Sequence, residues 1–162
     1  MSQATTAFNH RKLHASAALL IFLLLSFSAS LTGYFFPPGE WYANLNRPAF
    51  APPNWLFGPV WTLLYVLIAL AGWLVWRQVG WQSRLVALWG VQMLLNALWT
   101  PLFFGLNWKG VAAIEMALLW VVILGCMAAF RHVSPLASWL MAPYLIWVSF
   151  ALLLNLGFWW LN

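Results

Sequence analysis

Trp41 to Trp61 reads WYANLNRPAFAPPNWLFGPVW, a proline- and tryptophan-rich link between two long apolar runs, Ala15 to Phe36 and Pro59 to Trp76. The flanking runs decide the fold. Each is continuously apolar for about 18 residues or more, the length that crosses a hydrocarbon core of ~30 Å as a helix. Neither alternates with the period of two that a membrane barrel strand requires. Three further runs follow at Leu85 to Phe104, Val111 to Phe130 and Leu136 to Trp160. The expectation is an all-α integral membrane protein, a single domain over residues 1–162 with five transmembrane helices and a long structured first loop.

Composition agrees with that reading. The chain is 65% hydrophobic and 6% charged, with 14 Trp, whereas a soluble domain carries roughly 25% charged residues. A bilayer offers no water to backbone groups, so spans must be helices or a closed barrel. Arg11 and Lys12 precede the first run and Ser28 to Ser30 end its middle, a pattern shared with signal peptides. The run continues to Phe36, beyond the ~7–15 residues of a signal core, and is read as a span.

With five spans the termini lie on opposite sides. Arg11, Lys12, Arg77, Arg84 and Arg131 share the N-terminal side, against Arg47 and Lys109 on the other. The basic excess marks the inner face. The N terminus is therefore expected inside, and the C terminus and the Trp-rich link outside. The net charge of +5 is accounted for by topology, and no basic stripe interleaved with aromatics points to nucleic acid. The lone Cys126 excludes an intramolecular disulfide and is expected to be a small core residue.

Loop lengths set the organisation. Arg77 to Arg84, Gly105 to Gly110 and Arg131 to Pro135 are short enough to hold neighbouring helices antiparallel, while Pro37 to Gly58 is a 22-residue loop. Trp41, Tyr42, Leu45, Phe50, Trp55, Leu56 and Phe57 would be costly to leave in water, and Pro48, Pro52 and Pro53 restrict the link. It is expected to form a lid over the helix ends.

Helical spacing indicates what lies beneath. Trp61 and Tyr65 share a face at i, i+4; Gln92, Asn96 and Trp99 at i, i+4, i+7; Trp147, Ala151 and Asn155 at i, i+4, i+8. Polar groups within spans turn toward the bundle interior, so the three helices are expected to point amides and indoles into one cavity. Interfacial anchoring is the competing explanation for tryptophan. It suffices for Trp73, Trp76, Trp81, Trp89, Trp108, Trp159 and Trp160 near the span ends; for Trp61 and Trp147, pocket and packing both fit.

Catalytic groupings are scarce. There is no Asp, and the two acids are Glu40 and Glu115. Glu115, about one turn into the fourth span, is a candidate proton carrier, although at that depth water or Lys109 would be within its reach. His10 and His14 have the i, i+4 spacing of a metal pair, but Arg11 and Lys12 between them fit a basic tail on an anionic membrane surface better. No zinc spacing, nucleophile triad or phosphate loop is present. No metal or cofactor is expected.

The Trp41–Trp61 string, ALWTPLFFG at Ala97–Gly105 and PYLIWVSFALLLN at Pro143–Asn155 together resemble the translocator protein family, also called tryptophan-rich sensory protein (TspO) or peripheral benzodiazepine receptor. The resemblance implies a five-helix protein, often a homodimer, that binds porphyrins such as protoporphyrin IX and in many members cholesterol and benzodiazepine-type ligands. It also implies transport or regulation of tetrapyrrole metabolism, in bacterial envelopes or in the mitochondrial outer membrane of eukaryotic relatives, and in some bacterial members light-dependent porphyrin breakdown. Carried over by motif, the ligand-binding residues are Tyr42, Trp61, Trp147, Ala151, Asn96 and Trp99. The residues' own spacing adds Tyr65, Gln92 and Asn155, and the apolar surface of the link adds Trp55. Breakdown, if it occurs, would fall to Trp61 and Trp147. The sterol pattern at the end of span five is missing, with Leu156 in place of its Tyr and Trp160 in place of its basic residue. A regulatory partner of another membrane complex is the third reading.

Overall fold

The computed structural model describes residues 3–162, with side chains from His14 onward; the side chains of His10, Arg11 and Lys12 lie outside the described residues. It is an all-α bundle in which five helical segments are long and apolar enough to span a membrane: His14–Phe35, Asn54–Val79, Arg84–Gly105, Lys109–Phe130 and Pro135–Leu161. Three of the five are interrupted, and each interruption has a local cause.

The first span is α1 (Gln3–Ser28) followed by the short α2 (Leu31–Phe35). At the break, Ser28, Ser30 and Thr32 each donate a hydroxyl hydrogen bond to the carbonyl three residues back, competition that bends helices. The third span is α5 (Arg84–Thr100), then a π-helical turn over Pro101–Gly105. Pro101 has no N–H to give, and Leu106 N–H closes the wider turn on Pro101 O at 2.9 Å. In the fifth span, α7 (Pro135–Leu140) and α8 (Ala142–Leu161) meet at Met141, just before Pro143. Ordinary signals set the remaining ends. Ser83 Oγ accepts from Leu85 N–H at the start of α5, Ser134 Oγ accepts from Ala137 N–H at α7, and Gly80 takes φ +74° after α4 (Phe57–Val79).

Helices do not associate in lipid to escape water, so close fit and interhelical hydrogen bonds must hold them. At the α1–α4 contact, Phe22 lies over Gly72, where an added Cβ would come within 2.8 Å of the ring and 2.6 Å of Trp89 Nε1. Trp89 meets Phe22 edge-on at 4.8 Å and donates Nε1–H to Ile68 O at 2.9 Å. Trp89 is thus a core residue and not an interfacial anchor; its face of α5 turns to α4 instead of lipid. Cys126 is buried in α6 (Lys109–Phe130).

Between the first two spans the chain forms a folded cover. It includes α3 (Glu40–Ala43) and a single 3₁₀ turn, Asn54–Leu56, that leads into α4. Trp41 packs edge-on to Phe103, and Tyr42 packs against Phe104 and Phe158. The far end of α8 holds the cover down. Asn46 N–H donates to Asn162 Oδ1 at 2.8 Å, and Asn162 Nδ2 donates back to Asn46 O at 3.1 Å. Pro48 sits on Gly157, where a Cβ would meet it at 2.8 Å.

The tight fit at Gly72 gives the first prediction. Gly72→Val should destabilise the protein by about 1–3 kcal/mol, the cost of overpacking a filled site. Gly90→Val, where no atom lies within 4 Å of an added Cβ, should stay within about 1 kcal/mol of the parent. Thermal unfolding in one detergent measures both.

Candidate functional site: an aromatic cavity beneath the cover

The bundle encloses a cavity of about 600 Å³, within the ~300–1,000 Å³ range of ligand pockets. All five spans and the cover contribute to its wall. Trp61 and Tyr65 stand on consecutive turns of α4 with their rings stacked at 5.4 Å. Asn96 and Trp99 come from α5, and Trp147, Ala151 and Asn155 from α8. Tyr42 closes the cavity from the cover side.

Hydrogen bonds fix the polar part of this wall. Tyr65 OH donates to Asn96 Oδ1 at 3.2 Å, and Asn96 Nδ2 donates to the wholly buried Tyr144 hydroxyl at 3.0 Å. One turn or so nearer the cover, Trp99 Nε1–H donates to Asn155 Oδ1 at 3.0 Å, while Asn155 Nδ2 donates to Lys109 O at 2.8 Å. These two chains tie α4 to α5 to α8, and α5 to α8 to the start of α6. The indole Nε1–H of Trp147 is buried without a partner, and its ring meets Phe57 edge-on at 5.7 Å. The wall is therefore mostly flat hydrocarbon with a few oriented dipoles. Burial pushes the Tyr42 phenol above its ordinary pKa, partly opposed by the nearby Arg47, so at neutral pH Tyr42 is uncharged.

Eight of the ten residues singled out from sequence line the cavity: Tyr42, Trp61, Tyr65, Asn96, Trp99, Trp147, Ala151 and Asn155. Gln92 and Trp55 do not. Gln92, one turn before Asn96, is fully buried with neither amide atom hydrogen-bonded; over a whole turn the wall has given way to helix–helix contact. Trp55 is 71% exposed on the outer surface, because the 3₁₀ turn carries it away from the bundle.

Several wall residues escaped the sequence reading. Phe27 and Gly33 come from the first span, Met116 and Leu119 from the fourth, and none stands out by residue type. Tyr144, which does not line the cavity but anchors Asn96 from behind it, was findable as a polar aromatic one turn before Trp147. Glu115 also departs from expectation. It is buried with both oxygens unpartnered, and the ammonium of Lys109 lies over the Trp41 ring at 5.3 Å instead. Met116 and Leu119, not Glu115, face the cavity from that helix.

A membrane bundle of five spans around a covered aromatic cavity is the class of protein that the fold and site define. A family profile described as the TspO/MBR family matches residues 14–161, and the chain belongs to that family. It is 38% identical to Protein CrtK of Rhodobacter capsulatus, over 83% of this chain and 86% of that one. It is 37% identical to the tryptophan-rich sensory protein of Cereibacter sphaeroides, over 86% and 87%. Similarity extends to the translocator protein of Homo sapiens, 37% identical over 74% and 73%.

The two asparagine-centred contacts and Gln92 predict opposite responses. Asn155→Leu strands the Trp99 indole N–H and should cost about 1–3 kcal/mol. Gln92→Leu removes an amide that has no partner, and stability should stay level or rise. Thermal midpoints of the two variants, compared with the parent, check this.

Proposed function

We infer that the protein is a membrane receptor or carrier that binds porphyrins, with protoporphyrin IX and related tetrapyrroles as its ligand class. The observation that carries this reading is the cavity of about 600 Å³, whose aromatic faces and scattered dipoles suit a large flat molecule with a few polar edges. The names of the relatives, a tryptophan-rich sensory protein and a translocator protein, suggest sensing or transport and fit the same ligand reading. We assign the N terminus to the inside of a bacterial envelope membrane and the C terminus to the outside, from the clustering of Arg77, Arg84 and Arg131 opposite Arg47 and Lys109. A homodimer is the proposed assembly, on the family resemblance.

Sterols rank below porphyrins. Leu156 and Trp160 stand where the sterol pattern has its aromatic and basic residues, and neither lines the cavity. A light-dependent breakdown of bound porphyrin is the second reading. It is favoured by the stacked Trp61–Tyr65 pair on the wall, which would place oxidisable rings against the ligand.

Titration of the purified protein with protoporphyrin IX, followed by tryptophan quenching, tests the reading. Trp147→Ala should weaken binding about tenfold, the equivalent of ~1.4 kcal/mol, since truncation removes ring contact. Trp139→Ala, at a side chain 74% exposed on α7, should leave affinity unchanged. Equal affinities would contradict the site. Porphyrin loss under illumination, without loss in the Trp61→Phe, Trp147→Phe double variant, would favour breakdown over carriage.

A further inference from the structure

We propose that ligand enters the cavity sideways from the bilayer, through a slot between α2 and the start of α4, while the cover stays shut. The inference rests on the cavity being a binding site for a flat apolar molecule, and it makes that molecule a membrane-dissolved one. In the half of the bundle away from the cover, the first span packs closely on the second. Trp73 Nε1–H donates to Ala15 O, Phe22 fills the space over Gly72, and Phe27 touches Tyr65. Above the break at Ser28–Leu31 that contact is given up. α2 turns toward α5, and Phe36 at its end caps Gly105, where an added Cβ would meet the ring at 2.6 Å.

The turn leaves two walls facing a gap. Ser30, Gly33 and Phe36 line the cavity from one side; Asn54, Gly58 and Thr62 line it from the other. All six are exposed, unlike the cavity residues farther in. Gly33 and Gly58 have no atom within 4 Å of an added Cβ, so open space adjoins both walls. The gap lies within the spans, since His14–Phe35 includes Ser30 and Gly33, and Asn54–Val79 includes Gly58 and Thr62. Its borders are lipid-facing: Leu31, Tyr34, Phe35 and Leu63 are exposed apolar side chains.

The chemistry of the slot suits an apolar passenger. Ser30 and Thr62 hydroxyls donate to carbonyls of their own helices, so they present no free donor that a passing hydrocarbon would have to strip of partners. The cover is the less favourable way in. Opening it means breaking the reciprocal Asn46–Asn162 hydrogen bonds, lifting Pro48 from Gly157, and exposing Trp41 and Tyr42 to water.

Stopped-flow quenching with protoporphyrin IX, on protein in phosphatidylcholine nanodiscs, separates the two routes. Gly33→Leu combined with Gly58→Leu should slow association and dissociation about tenfold each. Joining the cover to α8 through Asn46→Cys and Asn162→Cys, by a disulfide or a short bis-maleimide, should leave both rates unchanged. Unchanged rates in the glycine variant, or a tenfold loss in the cross-linked one, would overturn the lateral route. Should the glycine variant lose equilibrium binding, the cross-linked protein decides alone. An absence of saturable binding in the unmodified protein would instead overturn the ligand assignment, and this route with it.

Discussion

In hydrocarbon an indole or amide N–H has no water to fall back on, so each one placed inside a span must find a partner within the protein or stay unpaired. The bundle depends on how that constraint is met at two asparagines. Asn96 joins the hydroxyls of Tyr65 and Tyr144, and Asn155 joins the Trp99 indole to the Lys109 carbonyl. Individually such bonds contribute about 0.6 kcal/mol on average. Their larger effect is geometric, because they hold four helices, α4, α5, α6 and α8, in place around the cavity.

Small residues supply the complementary constraint. Gly72, Gly105 and Gly157 each lie against an aromatic or proline ring that a side chain would displace. The first brings α1 onto α4, the second receives the end of α2, and the third seats the cover on α8. Gly33 and Gly58 have the opposite surroundings, with open space where a Cβ would be. The same residue type therefore permits close approach at some points of the bundle and leaves open space at others.

The five spans were legible because runs of about 20 apolar residues have few alternatives in a chain this poor in charge. Most of the cavity wall was legible too, since Trp61/Tyr65, Asn96/Trp99 and Trp147/Ala151/Asn155 recur at helical spacing and carry polar atoms that seek the interior. Spacing says which face a residue occupies, not what that face meets. For that reason Gln92 fell in a helix contact below the cavity, and Trp89, read as an anchor, became the partner of Phe22 and Ile68. Helix breaks at Ser28–Leu31 and Met141 were invisible in hydropathy, which averages over hydroxyls and prolines. The first of them is nevertheless what brings Ser30, Thr32 and Gly33 into the cavity wall.

The central claim is that a porphyrin occupies the space beneath the cover. Intermolecular NMR contacts between protoporphyrin IX and methyl-labelled alanines test it most directly. The account predicts contacts from the porphyrin ring protons to Ala151, on the cavity wall, and none to Ala87, on the exposed face of α5. Contacts to Ala87 without Ala151 would place the porphyrin on the lipid-facing surface and contradict it.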